Sequence, residues 1–148
     1  MGTKTEKTAT LSRGTVLKLH SVLSKVKVNK LQQTDALKLI RYMVEIKKLS
    51  AEAQEAISEM RRTCLPEKME ELEQKAEADV ESLSKEERGE LVSKRNAFFE
   101  KFNKASKDYL EEVTELEALK LSDDVIMSLH DSNEISLDDA AVLLEHLA

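Results

Sequence analysis

The chain has 148 residues, of which 41% are hydrophobic, 35% charged and 3% aromatic; this is enough for one domain with a core of Leu, Ile, Val, Met and Ala. Three Gly and one Pro leave too little turn chemistry for a sheet-rich fold, and a lone cysteine excludes a disulfide-stapled secreted domain. The net charge of −6 is split along the chain: residues 1–30 carry +6, residues 31–66 carry +1 and residues 67–148 carry −13, which suits a chain that folds back on itself or reaches for a partner with either end.

Residues 1–10 are polar and rich in Thr and Lys, and predict a disordered tail ahead of a single helical domain over 11–148. Ser12 caps a short helix over about 12–24, with Val16, Leu19, Val22 and Leu23 as its apolar stripe. Lys25-Val26-Lys27-Val28 then alternates like a strand, and reads as an extended connection able to pair with another short edge.

A long helix is predicted over about 34–64, with Thr34 as its cap. Leu39, Met43, Ile46, Ala53, Ile57, Met60 and Cys64 form a seam of coiled-coil period that skips one place at Ser50. Leu37, Ile40 and Val44 widen the stripe, so this end of the helix faces more than one neighbour. Pro66 stops it. Residues 67–83 are rich in helix formers but carry only the thin stripe Met69, Leu72, Ala76 and Val80, and their helicity stays open.

Ser84 and Glu87 have the spacing of a capping box and start a second long helix over about 84–119, despite Gly89 near its beginning. Its seam runs Leu91, Arg95, Phe98, Phe102, Ala105, Tyr109, Val113 and Leu116, and Phe99 falls off it. Residues 125–129 fit either a helix capped by Ser122 or a buried strand. A short helix over about 136–147 closes the chain, with Ser136 at its start and Ile135 placed to staple onto Ala140. The fold class that follows is all-α. It is an antiparallel hairpin of two long helices, Leu39–Cys64 seam against Leu91–Leu116 seam, with short accessory helices and room for a minor two-stranded β pairing.

Chemistry is harder to find. His20, His130 and His146 are far apart and form no ligand pair, and Cys64 closes a core seam. The segment from Asp131 lacks both the Gly and the Glu that a calcium loop needs at its sixth and twelfth positions, where Ser136 and Val142 stand. No Gly-rich phosphate loop and no nucleophile motif is present. The expectation is therefore a non-enzymatic protein without metal or cofactor. No apolar run approaches a membrane span and the first residues lack a signal-peptide core, which predicts a soluble, cytoplasmic protein without membrane contact.

Two partner surfaces follow from what the seams leave over. Phe99, Ile126, Met127 and Leu143 lie off the seams or in short elements, and are candidates to line an exposed groove for a protein partner. In the basic front, Lys18, Lys25, Lys27 and Lys30 are candidates for phosphate contacts. That alternative, a nucleic-acid adaptor, is not favoured, because the region has one Arg and no aromatic side chain for base readout or stacking. A homo-oligomer using the same seams between chains is a third possibility.

The Val16–Leu23 helix, the Lys-bearing connection, the Ala36–Arg62 helix, the Asn-Ala-Phe-Phe helix and the capped Ile135–Leu147 helix come in an order that resembles small helical proteins encoded by bacterial phages and prophages. The resemblance spans most of the chain and implies a role in particle assembly or host takeover. It supplies no functional residues.

Overall fold

In the computed structural model, which describes residues 8–133 and 135–148, hydroxyl side chains set most of the helix starts. Helix α1 spans Arg13–Leu23, and its cap Ser12 accepts a hydrogen bond from the Thr15 amide at 3.1 Å. Such a bond satisfies one of the amides that a first helical turn leaves unpaired. Helix α2 runs Gln33–Cys64; it starts one residue ahead of the expected cap Thr34 and stops before Pro66. Met69–Ala78 forms α3, so the thinly striped segment is helical, and a single 3-10 turn follows over Val80–Ser82. The Val80 side chain, the last member of that stripe, lies outside the described residues.

Helix α4 spans Lys85–Glu111. Its start is a closed capping box: Glu87 N–H donates to Ser84 Oγ and Ser84 N–H donates to Glu87 Oε1, each at 3.1 Å. Helix α5 spans Asp123–Asn133 with Ser122 Oγ accepting from Val125 N–H at 3.3 Å, which decides the open segment 125–129 for helix. Helix α6 spans Leu137–Leu147, capped by Ser136 through the Asp139 amide at 3.0 Å.

The protein is predominantly α-helical with one small antiparallel sheet. Strand β1, Thr8–Ser12, pairs with β2, Val113–Glu117, in the register Thr8↔Glu117 to Ser12↔Val113. This sheet corrects three expectations. Residues 8–10 are paired strand rather than disordered tail, while residues 1–7 lie outside the described set. The second long helix ends at Glu111 rather than near 119. The alternating Lys25–Val28 segment is not a strand; its valines pack partly against the core instead. The strand pair forms elsewhere because Thr8–Ser12 and Val113–Glu117 can satisfy each other's backbone groups. Backbone and side chain both continue that pairing past β1, since Arg13 N–H donates to the Glu112 carbonyl at 2.9 Å and the Arg13 guanidinium meets the Glu112 carboxylate.

Where a single domain is expected over 11–148, the chain divides into two compact units, with cuts inside α2 after Gln54 and inside α4 after Tyr109. The first unit holds the chain up to Gln54 and from Leu110 onward. Its core joins Val16, Leu19 and Leu23 of α1 to Leu39 and Ile46 of α2, Leu116 of β2, Ile126 and Leu129 of α5, and Leu143 and Leu147 of α6. The skipped seam place, Ser50, is fully buried here, and its hydroxyl accepts from Gln54 Nε2 at 3.2 Å. The second unit, Glu55–Tyr109, has two small clusters. Cys64, Met69 and Phe98 pack with Leu65 and Phe102, and Leu72, Leu83 and Leu91 pack with Ala76. The α2 seam therefore serves two cores. Only its Cys64 end shares a cluster with the aromatic part of the α4 seam, while Leu39 and Ile46 pack with the short helices.

Candidate docking surface

The N-terminal half of α2 has two apolar faces. Leu39, Tyr42 and Ile46 point into the core. Leu37, Ile40 and Val44 follow by three and four residues, which places them on one stripe of a helix, and all three are exposed, Val44 by 66%. Ile40 and Val44 line a groove of about 200 Å³. Leu39, Met43, Leu23, Val26 and Val28 line it as well. The alternation of Val26 and Val28, read above as a strand signal, places both side chains on the groove.

Among the described residues the groove has one charged residue in its lining, Lys47, and no carboxylate. At about 100° per residue, Arg41 and Lys48 fall just beyond the Leu37–Val44 stripe, and Glu45 lies further round the helix; Arg41, Lys47 and Lys48 are all exposed. A second cleft in this unit, about 480 Å³ in volume, differs in character. Lys38, Arg41 and Lys120 line it together with Glu45, Glu117 and Tyr42, so its charges largely offset one another. Burial, followed by the nearby Glu45 carboxylate, pushes the Tyr42 phenol up to about 12.

Two of the four residues proposed from sequence to line a partner groove are buried. Ile126 and Leu143 are 1% and 0% exposed and belong to the first unit's core. They are buried because α5 and α6 pack on each other, and α6 on α1, which leaves their apolar faces no solvent side. Met127 and Phe99 are exposed. Met127 is on α5 in the first unit and Phe99 on α4 in the second. Phe99 tilts against Phe98 at a ring separation of 5.5 Å and borders a depression of about 330 Å³ with Arg61, Met69, Glu73 and Arg95. Within it Glu73 accepts from Arg95 through two bonds of 2.6 and 2.7 Å, which holds the carboxyl below its ordinary range and raises the guanidinium.

All four lysines of the alternative site, Lys18, Lys25, Lys27 and Lys30, are exposed. Lys25 Nζ lies 3.2 Å from Asp139 Oδ2. The Lys27 backbone is clasped by Asn133, whose Oδ1 accepts from Lys27 N–H at 2.6 Å and whose Nδ2 donates to the Lys27 carbonyl at 3.3 Å. These contacts tie the lysine-bearing connection to α5 and α6. Among the described residues no group of His, Cys, Asp and Glu side chains is placed to hold a metal ion, and no helix is long and apolar enough to cross a membrane.

The groove was visible in the sequence only as the widened stripe Leu37, Ile40 and Val44. A second stripe on a helix signals a second neighbour, but nothing in the pattern says whether that neighbour belongs to the same chain. Comparison with protein-family models, with curated proteins and with solved structures gave no match.

Proposed function

We propose that this protein is a non-enzymatic docking or assembly factor of the cytoplasm, which engages a protein partner through the α2 groove. The observation that carries the proposal is the exposed stripe Leu37, Ile40 and Val44 beside an apolar groove that Lys47 also lines. Apolar side chains left in water at helical spacing cost free energy that docking recovers, and an apolar centre with a charged rim is how interfaces combine affinity with selectivity. Particle assembly or host takeover, the roles implied by the resemblance to small phage and prophage proteins, are biological settings for such a factor. The nucleic-acid reading has less behind it, because the Lys25 charge is engaged by Asp139 and the connection around Lys27 is tied down by Asn133.

A photoreactive side chain placed at Val44 tests this in the native host. The expected result is a discrete protein adduct that forms from position 44 and not from Glu100, an exposed position in the second unit. Absence of any adduct, or equal labelling from both positions, overturns the proposal.

A further inference from the structure

The first unit exposes a second apolar stripe, and its chemistry is the counterpart of the groove. On α6, Leu137, Ala141 and Leu144 follow by four and three residues and are all exposed, Leu137 by 78%. The opposite face, Ala140, Leu143 and Leu147, is buried. Beside the exposed stripe stand two exposed acids, Asp138 and Glu145. Around the α2 stripe stand the exposed cations Arg41, Lys47 and Lys48, while the positions that follow Leu37 and Val44 as Asp138 and Glu145 follow Leu137 and Leu144 are exposed Lys38 and half-buried Glu45, so cations outnumber carboxylates there.

The spacings also match. Leu37 and Val44 are seven residues apart, as are Leu137 and Leu144, so each pair of anchors is separated by roughly 10 Å along its helix axis. Two stripes of equal repeat, one edged with lysine and the other with carboxylate, can be laid side by side with apolar groups in the centre and opposite charges at the margin. Two copies of the α2 stripe facing each other would instead bring like charges together. Resting on the docking reading above, we propose that the occupant of the α2 groove is helix α6 of a second copy of this chain. The contact joins two different surfaces of the chain, so it pairs reciprocally in a twofold dimer, closes into a larger ring or continues into a chain according to the rotation between copies.

Sedimentation velocity over a range of concentrations tests this with three chains: the wild type, a groove variant Lys47→Glu/Lys48→Glu, and a helix variant Asp138→Lys/Glu145→Lys. All four positions are exposed, and retained helical circular dichroism checks folding. The wild type is expected to self-associate reversibly, more weakly as salt rises. Each variant alone is expected to need at least ten times the concentration to associate, because its groove and helix now carry like charge. An equimolar mixture of the two is expected to associate again, since each groove then meets a helix of opposite charge; misfolding of either variant cannot produce that recovery. Val44→Asp, which places a carboxylate on an exposed position and so leaves the core untouched, is expected to abolish association. A wild type that stays monomeric up to millimolar concentration overturns the inference while leaving the docking reading to its own crosslinking test. Association that is indifferent to Val44→Asp, or a mixture that fails to recover, overturns it as well.

Discussion

Lys25 and Asp139 are 114 residues apart in the chain, and their charged groups meet at 3.2 Å. Here the basic front of the sequence answers its acidic rear within one unit. The Asp139 amide is also the donor to the Ser136 cap, so the residue that receives Lys25 is held by the first turn of α6, where a carboxylate also favours the helix dipole.

The Lys25–Asp139 pair nevertheless contributes little energy. The Lys25 side chain is 55% exposed, and exposed pairs are worth about 0–1 kcal/mol. Asn133 should matter more, because its side chain answers both the N–H and the carbonyl of Lys27. Urea denaturation is expected to show Lys25→Gln within about 0.5 kcal/mol of wild type, and Asn133→Ala destabilised by about 1–2 kcal/mol. A larger loss from Lys25→Gln than from Asn133→Ala would reverse this ranking of the two contacts.

In the second unit, three phenylalanines that look equivalent in the sequence rank differently. Phe98 is 3% exposed and shares a cluster with Cys64 and Met69. Phe102 stacks on it, with ring planes 4° apart and centroids 5.5 Å apart, but is only partly buried. Phe99 is 54% exposed. Replacement by Ala is expected to cost about 3–5 kcal/mol at Phe98, less at Phe102, and under about 1 kcal/mol at Phe99. Thermal or urea melts of the three variants give the order directly, and equal losses at Phe98 and Phe99 would contradict the packing described.

Helix caps were readable because one hydroxyl in the right place has a local consequence: Ser12, Ser84, Ser122 and Ser136 each accept the amide that their position predicts. The end of α4 was not readable, for a physical reason. Leu116 lies three residues after Val113, as a helical seam requires, and two after Thr114, as a strand face requires. Both periods accept it, and the choice falls to a partner more than 100 residues away, Thr8–Ser12. The same limit applied to the proposed site. Ile126 and Leu143 sit in short helices that look too small to bury them, yet α1 and the start of α2 complete the core around them. Local pattern states which face is apolar; only the assembled unit decides which apolar face stays uncovered.

Tyr42 gives the first unit an alkaline limit. Its phenol is buried and its pKa is raised from 10.0 to about 12, by desolvation first and by Glu45 second. The folded state therefore keeps a proton that the unfolded chain releases. The stability due to the neutral buried phenol is complete below pH 10 and is lost as the pH rises from there toward 12, by about 2–3 kcal/mol in all. Ultraviolet titration should show one of the two tyrosines ionising near pH 12, and Tyr42→Phe should remove that step. A phenol at position 42 that ionises near pH 10 in the folded protein would show that it is not buried as described.

Gly89 offers the clearest route to a more stable protein. It lies in the second turn of α4, exposed, and a β-carbon built on it meets nothing within 4 Å. Its backbone has no positive φ, so the freedom that glycine provides is not used there. An unfolded chain with Gly at this position has more conformations to give up, and in a helix interior this costs about 0.5–1 kcal/mol relative to Ala. The reciprocal bonds of Ser84 and Glu87 already fix the helix start, so the substitution does not shift it. Gly89→Ala is expected to raise the stability of the second unit by about that amount, with no change in the Ser84–Glu87 box. A melting temperature unchanged or lowered, with the amide of Glu87 losing its protection from hydrogen exchange, would show that Gly89 serves a conformation other than the helix.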